Sequence, residues 1–148
     1  RLARLALICF ALAGTSRAGT NETGSVYDLG HTWTNQDGRA VNMAELKGRP
    51  RVVVMFFSTC TYACPRITAD LKAIENKLTP AQRKAIGFTM FSFDSTGDQP
   101  AALKKFAARM ELDETRWTLL HAPENRVREL AAVFGINYRR ETDGSFSK

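Results

Sequence analysis

The chain has 148 residues, is 44% hydrophobic and 24% charged, which fits one folded domain and excludes a disordered, collagen-like or coiled-coil chain. Three cysteines are too few for a disulfide scaffold, and a core of this size folds without one. The net charge is +6, of which Arg1, Arg4 and Arg17 supply three; the rest is scattered, with no interleaved aromatics, so nucleic acid is not an expected partner.

Arg1 and Arg4 precede a short apolar stretch, Leu5 to Ala13, and Ser16-Arg17-Ala18 then forms a small-x-small cleavage site, with Ala11-Leu12-Ala13 a second candidate. A basic start, a short apolar run and small residues predict a signal peptide over 1–18. Cys9 lies inside it, and Leu7-Ile8 before it are too bulky for lipoprotein cleavage, so it is expected to be removed. Secretion across the inner membrane to the periplasm follows, with membrane anchoring left open. The first residue is not methionine, so a missing start is expected. Residues 19–25 are small and polar and read as a leader, and 26–148 as one domain.

Val26 to Trp33 and Arg39 to Val41 flank Asp37-Gly38, a hairpin signal. Met43 to Leu46 suits one helical turn before Gly48 and Pro50. Arg51 to Phe57 is a continuous apolar run and predicts a central parallel strand, buried on both faces. Ile67, Leu71, Ile74 and Leu78 recur at helical spacing, so a helix is expected over 65–78 with Pro65 at its first position. Thr79-Pro80-Ala81-Gln82 has the capping-box pattern and opens a second, short helix. Gly87 to Asp94 predicts a strand, Pro100 to Met110 a helix, and Trp117 to Leu120 a short strand. Pro123 opens a last helix that Gly135 stops. Ile136 to Arg139 is a short strand candidate, and Asp143-Gly144 a turn. Strands alternating with helices predict an α/β protein with a largely parallel sheet. Because the chain stops as a turn begins, a missing C-terminal part is expected.

Cys60-Thr61-Tyr62-Ala63-Cys64-Pro65 joins the apolar strand to the helix. In α/β sheets chemistry gathers at the carboxyl ends of strands, and a helix N-terminus favours a thiolate. A thiolate serves disulfide exchange or a soft metal, and the spacing suits a disulfide or two sulfurs on one cuprous ion. A structural disulfide is the plain alternative. Zinc fits poorly, because the pair supplies half of a tetrahedral site.

Phe56-Phe57-Ser58-Thr59-Cys60-Thr61-Tyr62-Ala63-Cys64-Pro65 resembles the signature of the Sco/SenC family of copper-handling, thioredoxin-like proteins. Leu46 to Pro50, Phe93-Asp94, Asp98 to Ala101 and Leu130 to Tyr138 extend the resemblance over most of the chain beyond the leader. The resemblance implies a thioredoxin-like fold with an N-terminal β-hairpin extension. It also implies copper, Cu(I) or Cu(II), on Cys60 and Cys64, with a histidine as third ligand. No histidine here occupies that position, and it is expected beyond Lys148. Family members deliver copper, or reducing equivalents, during assembly of the cytochrome c oxidase copper centre. The implied partner is a copper-accepting oxidase subunit or another copper carrier, which would bring the protein close to a membrane. Asp94-Ser95-Thr96-Gly97-Asp98 lacks the family's proline after the first aspartate, which puts the partner's identity in question. A secreted thiol-disulfide oxidoreductase without a metal, and an interaction domain with a structural disulfide, are the competing functions.

Other residues read more plainly. His31 is expected on the surface. His121 is the histidine nearest the active end of the sheet but is not expected to bind metal. Asp94 is expected to cap a turn. Tyr62 either covers the site or is an exposed loop aromatic. Met43, Met55, Met90 and Met110 are too dispersed for a methionine-rich copper site.

Overall fold

The computed structural model describes residues 25–147; the leader, the expected signal peptide and Cys9 lie outside the described residues, apart from Ser25. Strands β1 (Thr32–Asn35) and β2 (Ala40–Asn42) form the expected antiparallel hairpin. Gly38 turns the corner at φ +77°, where a side chain would be strained. The Asn35 side chain accepts from the N–H groups of Asp37 and Arg39 at 3.1 and 2.8 Å. Val26–Asp28 is a 3-10 turn rather than part of a strand, because Ser25 and Asp28 close a reciprocal capping box around it. Met43–Leu46 is the expected helical turn, also 3-10.

Three parallel strands follow: β3 (Arg51–Phe56), β4 (Gly87–Ser92) and β5 (Trp117–His121). The sheet order is β2-β1-β5-β4-β3. β3 and β4 are adjacent and parallel as expected, with Val52 opposite Phe88 and Val54 opposite Met90. The hairpin joins the same sheet through antiparallel pairing of β1 with β5. β3, however, is an edge strand of the sheet; β5 stands in the middle, and β4 beside it is paired on both sides and buried at every residue. Among the described residues β3 pairs on one side only, and Val53 is 39% exposed. A continuous apolar run signals two apolar faces; it says nothing about whether both hydrogen-bonding edges are filled.

Helices α1 (Ala63–Lys77), α2 (Pro80–Ala85), α3 (Pro100–Arg109) and α4 (Glu124–Val133) connect the strands. One sheet face packs on α1 and α3, seen in Phe56 against Phe106 at 4.9 Å and in Trp117 bonded to Glu75. Phe88 stacks on Trp117 at 4.3 Å on that face. Trp33 meets Phe91 edge-on at 4.7 Å on the other, beside Met43, Leu46 and Phe134. Leu103, Phe106 and Ala107 of α3 and Val127, Leu130 and Ala131 of α4 point inward as their spacing predicts.

α1 departs from expectation twice. It begins at Ala63, two residues before Pro65, so Cys64 lies inside its first turn; proline fits there because first-turn N–H groups have no intrahelical partner. Its inward face runs Cys64, Thr68, Leu71, Glu75. Ile67 and Ile74 are 37% and 53% exposed. The helix is rotated because Glu75 is claimed by the core. Its carboxylate pairs with Arg116 at 2.5 Å and accepts from Trp117 Nε1 at 2.9 Å. Glu75→Gln keeps an acceptor for the indole but removes the charge opposite Arg116. Chemical denaturation should report a loss of about 1–2 kcal/mol; a midpoint equal to that of the parent protein would contradict this role.

The last strands, β6 (Arg139–Arg140) and β7 (Phe146–Ser147), pair as a small separate hairpin around Asp143-Gly144. The expected strand over 136–139 is thus displaced toward the turn. Phe146 packs on Phe57 at 5.0 Å, and Tyr138 on Phe93 at 4.6 Å. These contacts set the hairpin beside the carboxyl end of β3 and β4, where the cysteines lie.

Candidate functional site

Cys60 and Cys64 stand where β3 passes into α1. No disulfide joins them in this structure. Cys60 is half-buried and Cys64 is buried at 5% exposure. The N-cap residue of α1, Tyr62, makes no side-chain cap; instead the N–H of Cys64 donates to Cys60 Sγ at 3.2 Å. A sulfur thus occupies the place of a capping oxygen, at the positive end of a four-turn helix. Burial pushes the Cys60 thiol up. The backbone N–H and thiol of Cys64, with the N–H groups of Tyr62 and Ala63, outweigh it, so its pKa falls below that of an ordinary thiol. The accessible cysteine is therefore the readier thiolate. Alkylation by iodoacetamide should modify Cys60 faster than Cys64, with a rate midpoint at lower pH than a free cysteine. Equal rates, or a midpoint at or above the free thiol's, would contradict this assignment.

The loop before Cys60 is held from beneath by residues that sequence patterns did not single out as an anchor. Asp98 is 1% exposed. Its carboxylate accepts from the Ser58 N–H at 2.8 Å, from the Ser58 hydroxyl, and from the Ser92 hydroxyl at 2.5 Å. Arg109 of α3 donates to the Ser58 carbonyl at 2.9 Å. Ser58 is two residues from Cys60, so this network fixes where the cysteine loop leaves the sheet. An aspartate in a polar turn carries no sequence mark of burial; the readable hint was its place between a strand end and a proline-opened helix.

Asp94 caps its turn as expected, accepting from the N–H groups of Thr96 and Gly97 at 3.1 and 2.8 Å. Burial raises its pKa, but those donors and Arg140 at 3.6 Å bring it below the usual carboxylate range. Asp94, Arg140, Phe57 and Thr59 line a cavity of about 390 Å³ next to the cysteine loop, closed on one side by Asp143-Gly144-Ser145. Tyr62 is 83% exposed and stands clear of the cavity lining. His31 is partly exposed and bonds Glu129 at 2.5 Å, far along the hairpin. His121 ends β5, half-buried; burial pushes its pKa down against the pull of Asp98 and Asp94, and its Nδ1 has no hydrogen-bond partner. Among the described residues no group of three or more His, Cys, Asp or Glu side chains converges as a metal centre. The pair supplies two soft sulfur donors at one helix turn, a set that suits a cuprous ion or a dithiol-disulfide couple. Met43 and Met90 are core residues, and Met55 is buried with them.

A family model described as SCO1/SenC matches residues 18–147. The chain belongs to the SCO1/SenC family. A SCO1 protein homolog of Bacillus subtilis (strain 168) is 36% identical over 89 residues, covering 60% of this chain and 46% of that protein. The chain thus spans about half the length of this curated relative. A SCO1/SenC family lipoprotein from Bacillus anthracis superposes with TM-score 0.71 at 27% identity, over 79% of this chain and 70% of its own. BsSco, described with a disulfide switch and as a member of the Sco family of cytochrome c oxidase assembly proteins, gives 0.67 at 30% identity, over 78% and 67%. ScoI of Bradyrhizobium japonicum, solved with copper bound, gives 0.67 at 18% identity, over 78% and 73%, a likeness of fold. These proteins share the thioredoxin-like fold that the family resemblance implied. Among the described residues no helix is long and apolar enough to cross a membrane.

Proposed function

We propose that the protein carries copper to, or reduces, an acceptor during assembly of the cytochrome c oxidase copper centre, using Cys60 and Cys64. The observation that carries the reading is the sulfur pair at the start of α1, one thiol accessible and lowered in pKa, the other buried behind it. Two thiolates suit Cu(I), and an added imidazole would extend the set to Cu(II). Copper is cargo here, received and handed on. Membership of the family, and copper bound to a protein of the same fold, support this. The acceptor would be a copper-accepting oxidase subunit or another copper carrier. A secreted, periplasmic location fits the N-terminal pattern; the lipoprotein relative supports a place at or near a membrane.

The same pair supports thiol-disulfide exchange. The Cys60 thiolate attacks one sulfur of an acceptor disulfide, releasing the other as a thiolate. Cys64 then attacks the Cys60 sulfur and expels the second acceptor thiolate, so two electrons leave the pair as it closes to a disulfide and the released thiolates take up the cysteines' protons. The lowered pKa of Cys60 favours this reading specifically.

Titration of the reduced, full-length protein with Cu(I) tests the assignment. One tightly held copper per chain is expected, and prior alkylation of both cysteines should abolish it. Undiminished binding after alkylation would place the copper elsewhere.

A further inference from the structure

At the end of the sheet opposite the cysteines, Arg49, Arg83, Lys84 and Arg116 line an open cavity of about 400 Å³ with Pro80 and Thr115, and no carboxylate lines it. Arg49 precedes β3, Arg83 and Lys84 belong to α2, and Arg116 precedes β5, so separate parts of the fold deliver these cations to one place. Arg116 is neutralised behind the wall by Glu75 and Asp113, at 2.5 and 2.7 Å. Arg49, Arg83 and Lys84 pair with no carboxylate among the described residues. Arg83 is tethered to the carbonyls of Asn76 and Leu78 at 3.3 and 3.2 Å, and its Nε is buried without a partner.

Gly87 begins β4 beside this cluster. A Cβ there would lie 3.1 Å from Arg49 Nε and 2.9 Å from Arg51 Nη1, so the missing side chain is what lets two guanidinium groups cross the strand. Burial, then the neighbouring Arg49, lowers the pKa of Arg51. Gathering like charges around a concavity is unfavourable until an anion enters. Guanidinium groups match phosphate oxygens in two-point hydrogen bonds.

We infer that this cavity is a binding site for a phosphate-bearing anion, either a free phosphate compound or the headgroup of an anionic phospholipid. It lies about 20 Å from the cysteines along β3, so occupancy is independent of their thiol state. A headgroup here would hold the protein against a bilayer with the cysteine end facing away.

Calorimetric titration of the reduced protein with inorganic phosphate and with pyrophosphate, at fixed low ionic strength, tests the site. Co-sedimentation with vesicles of phosphatidylcholine, with or without phosphatidylglycerol, separates the sources. Saturable binding in either arm is expected, weakening with added salt. The variant Arg49→Gln/Lys84→Gln should lose at least about tenfold in affinity. Neither side chain donates a hydrogen bond in the described protein, so the fold should persist, which circular dichroism checks. Arg66→Gln/Lys105→Gln, which removes two charges elsewhere, should bind normally. Phosphate binding alone would assign a soluble ligand, and vesicle retention that requires phosphatidylglycerol would assign the headgroup. Absence of binding in both arms, undiminished binding by Arg49→Gln/Lys84→Gln, or an equal loss in Arg66→Gln/Lys105→Gln would overturn the inference.

Discussion

Asp98→Ala is expected to destabilise the protein by about 3–5 kcal/mol. The carboxylate is buried and accepts from three donors, the N–H and hydroxyl of Ser58 and the hydroxyl of Ser92. Truncation leaves those donors in a site that water does not readily reach, and each unsatisfied buried group costs about 1–3 kcal/mol. For a domain of this size the loss corresponds to roughly 10 °C or more in thermal midpoint. A second consequence separates anchoring of the loop from general stability. Released from Asp98, Ser58 no longer fixes the path into Cys60, so alignment of Cys60 Sγ with the α1 N–H groups should loosen. The alkylation midpoint of Cys60 should then move up toward that of a free thiol, measured well below the variant's melting temperature. Asp94→Ala, which removes a turn cap, should cost nearer 1 kcal/mol. A midpoint for Asp98→Ala within 2 °C or so of the parent protein's would contradict the anchoring role.

Cys60→Ser and Cys64→Ser should each lower Cu(I) affinity by more than about a thousandfold, roughly 4 kcal/mol or more. Serine's hydroxyl stays protonated at neutral pH and is a hard donor, so each change removes one of two soft ligands. The two variants should differ in a second respect. Cys64→Ser keeps the accessible thiol and should still form a mixed disulfide with an added aromatic disulfide, without resolving it. Cys60→Ser keeps only the buried thiol and should react slowly. His121→Ala should leave copper affinity nearly unchanged, because the proposed pair lies at the junction of β3 and α1 and His121 ends β5. Competition against a coloured Cu(I) chelator measures all three variants. A large loss on His121→Ala would show that an imidazole of β5 reaches the copper.

Much of the architecture was legible because each element carried its own local signal. Asp37-Gly38 set the first hairpin, Thr79 to Gln82 the cap of α2, and the spacing of Leu103, Phe106 and Ala107 the inward face of α3. Two of the departures share a cause. The run Val52-Val53-Val54 reports apolar side chains, but which strand is central depends on what pairs with each edge, and no residue of β3 encodes that. On α1, Ile67 and Ile74 mark an apolar stripe; the helix instead turns Glu75 inward because Arg116 and Trp117, some forty residues later, supply its partners. The cysteine pair announced itself by its place between strand and helix. Its support did not, because Asp98, Ser58 and Arg109 are polar residues whose burial arises from contacts distant in sequence. The same holds for the basic cavity, whose four cations come from three separated stretches of chain.

Transfer to an acceptor tests the proposed function most directly. The reduced, full-length protein loaded with one Cu(I) would be mixed with the apo, soluble copper-binding domain of an oxidase subunit, its own cysteines either reduced or joined as a disulfide. Copper should appear in the reduced acceptor, or thiols in the oxidised one, and neither should occur with Cys60→Ser/Cys64→Ser. An acceptor that gains neither copper nor thiols from the parent protein, or gains them equally from the double variant, would contradict the assignment of Cys60 and Cys64 to copper-centre assembly.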